Sequence, residues 1–163
     1  MDIIGHSIFG NYITELDYDK RTMTLYDNNK INIDSSWTEL PLLFKDNNIP
    51  WVEASVVFED AARDAIVLLE KPGKKFSLPN ETTNVHLGTG LSGEIYGKTG
   101  KISKLILGPY ELASFAPAKT RSKQNNADAI LGNDSFRRLN LIFDYANRKL
   151  YIKPNSFFND PFD

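Results

Sequence analysis

The stretch from Gly88 to Gly100 reads GTGLSGEIYGKTG, and its spacing suggests phosphate chemistry. Gly88, Gly90 and Gly93 make G-x-G-x-x-G, and Gly97, Lys98 and Thr99 follow in the manner of a phosphate loop. A dinucleotide site needs such glycines to open a helix, because the pyrophosphate rests on the helix N-terminus. Only Glu94, Ile95 and Tyr96 separate Gly93 from the next glycine, which leaves no room for a helix to begin. The phosphate-loop pattern fails too, since it requires four residues between its glycines and a helix after Thr99. The stretch therefore reads as the tip of a glycine-rich hairpin, and no cofactor is expected.

Other chemistry is scarce. The protein-kinase spacing G-x-G-x-x-G-x-V is nearly met with Ile95, but neither H-R-D nor D-F-G follows. His6 and His86 are the two histidines, and neither has a second ligand at a metal-type spacing, so no metal is expected. The absence of cysteine removes disulfides, thiolate nucleophiles and cysteine-based metal sites together. No G-x-S-x-G elbow supports a serine nucleophile.

The 163 residues carry 41% hydrophobic and 25% charged side chains, enough for one domain or two close lobes with a real core. Net charge is −2 with both signs scattered, so neither nucleic acid nor a charged membrane surface is expected as a partner. The longest apolar run, Ala65 to Leu69, is too short to span a bilayer. The opening MDIIGHSIFG lacks the features of a signal peptide, so the chain reads as soluble. A periplasmic or exported location would need a signal upstream of Met1.

Short Val-, Ile-, Leu-, Tyr- and Phe-rich runs broken by turn residues predict a mostly β chain. Expected strands are Ile13 to Leu16, Thr22 to Tyr26, Trp37 to Phe44, Ile49 to Phe58, Ala65 to Leu69 and Val85 to Leu87. Ile95-Tyr96, Ile102 to Leu107, Glu111 to Phe115, Leu139 to Phe143 and Lys149 to Ile152 complete the set. Ala65 to Leu69 is continuously apolar, as a strand buried on both faces would be. Ser7 to Tyr12 and Asp134 to Leu139 suit one or two helical turns, the second capped by Asp134. Ala116 to Asn125, polar and aperiodic, reads as a mobile surface loop.

The two ends of the chain repeat each other. IIGHSIFGNYITELDYDKRTMTLY at 3–26 aligns without a gap on ILGNDSFRRLNLIFDYANRKLYIK at 130–153. Ile3, Gly5, Phe9, Asp17, Tyr18 and Arg21 meet Ile130, Gly132, Phe136, Asp144, Tyr145 and Arg148. Apolar Ile4, Tyr12, Leu16, Met23 and Leu25 meet Leu131, Leu139, Phe143, Leu150 and Ile152. Each copy reads as an apolar pair ending in glycine, a short helix, a strand, a D-Y turn and a return strand, which points to two related lobes.

This unit resembles the closing segment of a lobe in aspartic peptidases, especially the bacterial retropepsin-like family. In that family a lobe runs from an Asp-Thr-Gly loop through a flap hairpin to a hydrophobic-hydrophobic-Gly strand, a short helix and a D-Y hairpin. Ile130-Leu131-Gly132, Phe136 and Asp144-Tyr145 are similar to the end of a second lobe, and Ile3-Ile4-Gly5, Phe9 and Asp17-Tyr18 to the end of a first. The resemblance implies an all-β fold: a closed, acid-protease-like barrel lobe at 31–163 with one or two short helices, and at 1–30 a hairpin left from another lobe. Gly88, Thr89, Gly90, Leu91, Ser92 and Gly93 then fall where the family carries its flap, which contacts substrate.

The resemblance stops at the catalytic motif. The family's Asp-Thr-Gly should end the strand Ala65 to Leu69, where the sequence instead reads LLEKPGKKFSLP. Glu70 stands at the approximate place of the carboxylate, followed by Lys71, Pro72 and Gly73. The family's chemistry needs two carboxylates sharing one proton around a water. Glu70 is one methylene longer than Asp, Lys71 favours an ionised carboxylate, and Pro72 lacks the freedom of glycine. A misplacement of even about 1 Å is costly to catalysis, so Glu70 reads as a turn residue. The expected function is a non-catalytic peptide-binding or structural module. The alternative is the second lobe of an aspartic endopeptidase whose Asp comes from a missing first lobe or a partner chain. Expected partners are a peptide or protein ligand and, through exposed strand edges, a second copy of the chain.

Overall fold

The computed structural model describes residues 6–27, 31–45, 49–58, 66–70, 85–90, 93–122, 129–131 and 133–160. The chain opens with α1 (His6–Phe9), β1 (Ile13–Asp17), β2 (Thr22–Tyr26), β3 (Thr38–Pro41), β4 (Leu43–Lys45), β5 (Ile49–Trp51) and β6 (Ser55–Phe58). It continues with β7 (Ile66–Glu70), β8 (Val85–Gly90), β9 (Gly93–Leu107), β10 (Tyr110–Ser122) and β11 (Ala129–Leu131). It closes with α2 (Asn133–Phe136), β12 (Leu139–Asp144) and β13 (Lys149–Pro154). The fold is mostly β, with helix limited to two single turns among the described residues.

The chain forms two compact units, one of Met1–Ala54 with Phe136–Asn159, the other of Ser55–Ser135 with Asp160–Asp163. In the first unit the two sequence repeats join one five-stranded antiparallel sheet ordered β2-β1-β12-β13-β3. β1 pairs with β12 through Thr14–Phe143, Glu15–Ile142 and Leu16–Leu141. Thr14 is the repeat counterpart of Leu141, and Leu16 that of Phe143. The register therefore maps onto itself when the repeats are exchanged, with Glu15 and Ile142 at its centre. The two copies face each other as the halves of a symmetric dimer would.

Residues directly opposite in neighbouring strands share a face of the sheet. One face carries two rows across all five strands: Leu25, Thr14, Phe143, Leu150, Leu40, and Met23, Leu16, Leu141, Ile152, Thr38. Its centre is core, since Thr14, Leu141, Leu150 and Ile152 are at most 1% exposed. The inner strand β12 is buried on both faces, with Leu139, Leu141 and Ile142 all inside. Residues 37–44 form two strands rather than the single one expected, broken at Leu42, whose N–H donates to the Arg148 carbonyl at 2.8 Å. The expected strand over 49–58 divides likewise, into β5, which pairs with β4, and β6.

The second unit holds a six-stranded sheet ordered β11-β7-β10-β9-β6, with β8 paired to β9 beside it. β7 and β10 run parallel, and the remaining pairs are antiparallel. β9 and β10 are joined by Gly108-Pro109, with Leu107 opposite Tyr110. Gly108 has φ 59°, which the first position of a II′-type hairpin turn requires and glycine supplies without strain. Among the described side chains of this hairpin, Leu105, Leu107 and Leu112 are buried.

The structure corrects three further expectations. Neither large sheet closes on itself among the described residues, so the closed barrel is not seen: β2 and β3 end one sheet, β11 and β6 the other. The expected loop from Ala116 is instead strand as far as Ser122, because β10 hydrogen-bonds β9 on one side and β7 on the other. That double main-chain pairing overrides a polar composition. Pro117 is tolerated because β7 pairing begins only at Ala118 and a register shift between Ala113 and Ala116 precedes it. Finally, Asp134 is the second residue of α2 rather than its cap.

Candidate functional site

The strand expected to deliver the carboxylate is β7, paired with β10 along Ile66–Ala118 to Glu70–Ser122 and with β11 along Ile66–Leu131 to Leu68–Ala129. β7 is therefore an inner strand of its sheet, hydrogen-bonded along both edges. Glu70 is the last residue of that strand, not a turn residue. Lys71, Pro72 and Gly73 lie outside the described residues.

The glycine-rich stretch forms a hairpin and opens no helix. β8 and β9 pair antiparallel through Gly88–Ile95, Thr89–Glu94 and Gly90–Gly93, with a register shift between His86 and Gly88. Leu91 and Ser92, the connection between these strands, lie outside the described residues. Among the described residues β8 pairs with β9 alone, so its other edge carries no strand. Gly88 and Gly90 give that edge two positions without a side chain, where another backbone can come close.

Electrostatic detail gathers at the D-Y turns of the first unit. Asp17 accepts the Lys20 N–H at 2.9 Å and the Lys20 ammonium at 2.6 Å. Asp144 accepts the Asn147 N–H at 3.0 Å and its side-chain amide at 2.8 Å. Arg21 and Arg148 then take φ of 56° and 57°, the left-handed residue that lets each chain return as a strand. Burial pushes the Asp17 carboxyl up, but the bonds and charge of Lys20 outweigh it and hold the group below its ordinary value. Burial alone raises Tyr18 and Tyr145, the paired tyrosines of the two turns.

One position breaks the symmetry. Asn140 occupies the place that Ile13 holds in the first repeat, and it is 6% exposed. Its carbonyl oxygen accepts the Tyr18 N–H at 2.9 Å, and its amide donates to Asp19 at 3.2 Å. Ser156 donates to Asp19 from both its N–H, at 3.0 Å, and its hydroxyl. Those Ser156 bonds, more than the Asn140 bond, keep Asp19 below the ordinary carboxylate value. Phe9 stacks on Tyr145 at 5.5 Å and meets Phe143 edge-on at 5.4 Å, so the first helical turn is anchored on the second repeat. Composition gave no sign of Asn140; only the repeat alignment, which sets it against Ile13, marks it as unusual.

Among the described residues no group of three acidic or histidine side chains is placed to hold a metal ion, and no helix is long and apolar enough to cross a membrane. No family model, curated protein or solved structure matches the chain.

Proposed function

We propose that the chain is a non-catalytic module of aspartic-peptidase-like descent that binds an extended peptide by main-chain pairing along β8. The observation that carries this reading is the glycine-rich edge of β8, hydrogen-bonded on one side only among the described residues. Such an edge offers alternating N–H and C=O groups to an added strand, and this mode of recognition needs no carboxylate. The order of elements supports the same descent: a strand ending at Glu70, a hairpin at the flap position, the apolar strand β11, the turn α2 and the D-Y hairpin β12–β13. The sequence Glu-Lys-Pro-Gly in place of Asp-Thr-Gly argues against cleavage.

Fluorescence anisotropy with a pool of labelled extended peptides tests this. Binding is expected for the wild type and for Glu70→Gln. It is expected to weaken about tenfold when valine at 88 and 90 keeps a second backbone away, and when alternate peptide nitrogens are methylated. Binding indifferent to N-methylation would show that main-chain pairing is not the mode.

A further inference from the structure

The symmetry of the first unit is incomplete at one edge. β13 is covered on its outer side by β3, with Leu150 opposite Leu40 and Ile152 opposite Thr38. Its counterpart β2 ends the sheet, and among the described residues no strand lies beyond it. The side chains follow this difference. Leu150 and Ile152 are 1% and 0% exposed, whereas their counterparts Met23 and Leu25 are 37% and 42% exposed. Both lie on the face whose centre is core, so the apolar surface of the sheet runs out to an open edge. Natural edge strands are usually blunted by charge, proline or a bulge. β2, reading TMTLY, has none of these.

We propose that β2 pairs antiparallel with β2 of a second copy of this chain, on a two-fold axis through Thr24, joining two five-stranded sheets into one of ten. The sequence around Thr24 is complementary to itself in this register. Met23 falls opposite Leu25 of the second copy, twice, so each copy covers the other's exposed apolar pair. Thr22 falls opposite Tyr26. Arg21 falls opposite Asp27, which places opposite charges together at both ends of the ladder. A β3-like strand from another protein would cover the edge equally well but would have to bring this charge pattern with it. The second copy brings it automatically, and the small net charge of −2 does not oppose association. The fold already makes one such contact internally, where β1 and β12 pair about a pseudo-two-fold axis. The interface uses residues of the first unit alone, whereas β8 belongs to the second.

Sedimentation velocity over a range of concentrations, with single-cysteine cross-linking, tests the proposal in a chain that has no cysteine of its own. A reversible dimer is expected. Thr24→Cys, on the axis, should oxidise to a covalent dimer at least about tenfold faster than Thr22→Cys, whose copies stand off the axis. Arg21→Asp or Asp27→Arg alone should weaken association about tenfold, by setting like charges opposite each other twice. The double exchange should restore it. A monomer at every concentration overturns the proposal. So does a dimer in which Thr24→Cys has no advantage and the double exchange restores nothing.

Discussion

Asp17 and Asp144 show how a single residue type shapes each end of the repeat. Each carboxylate accepts an N–H three residues on, closing the turn before an arginine in the left-handed region. Because the folded-state pKa of Asp17 is depressed, its contribution is present in full above the unfolded-state pKa. It is lost as pH falls through the folded value. Wild-type stability should therefore drop from about pH 4 downward. Asp17→Asn should be less stable by about 1 kcal/mol at neutral pH and should show a shallower acid slope, measured by urea denaturation at a series of pH values. Arg148 pays the usual strain of a side chain at positive φ, so Arg148→Gly should raise stability by up to about 1 kcal/mol in the same assay. Both D-Y turns were legible in the sequence because their residue types match across the repeat. The role of Asn140 was not, since its partners Tyr18 and Asp19 come from the distant hairpin turn.

At the scale of elements, the two repeats do the same local thing in unequal surroundings. Ile152→Ala should cost about 2–5 kcal/mol, because a fully buried side chain is removed. Its counterpart Leu25→Ala should cost the monomer less than about 1 kcal/mol, since that side chain is already half in water. Equal losses in chemical denaturation would mean that the open edge of β2 is not open. Asn140→Ile makes the repeats match but strips the Tyr18 N–H of its acceptor, and should destabilise by about 1–3 kcal/mol. The repeat strands were readable because alternation and turn chemistry agree within them. Residues 116–122 were not, because their strand character comes from the β7 and β9 backbones on either side rather than from their own side chains. The division of 37–44 and of 49–58 was hidden for a related reason: continuous apolar sequence does not reveal where a partner strand ends.

At the scale of the whole molecule, both units are built by main-chain pairing between strands, and among the described residues each sheet has open edges. In the first unit one of them is β2, with Met23 and Leu25 exposed. In the second one of them is β8, rich in glycine, the edge we propose for a peptide. The mostly β character followed from the short apolar runs, but the openness of the sheets did not, because closure depends on strand twist and stagger that composition does not encode. The candidate site was partly legible: the hairpin at Gly88 to Gly93 follows from the spacing of its glycines, whereas the strand-end position of Glu70 required the pairing partners of β7.

We propose recognition without cleavage. It is tested most directly by incubating the chain with a diverse peptide library from acid to neutral pH and reading bound and cleaved peptides together by mass spectrometry, with Glu70→Gln alongside. Both proteins are expected to retain the same extended peptides intact. Cleavage by the wild type that disappears in Glu70→Gln would contradict it and make Glu70 a catalytic carboxylate.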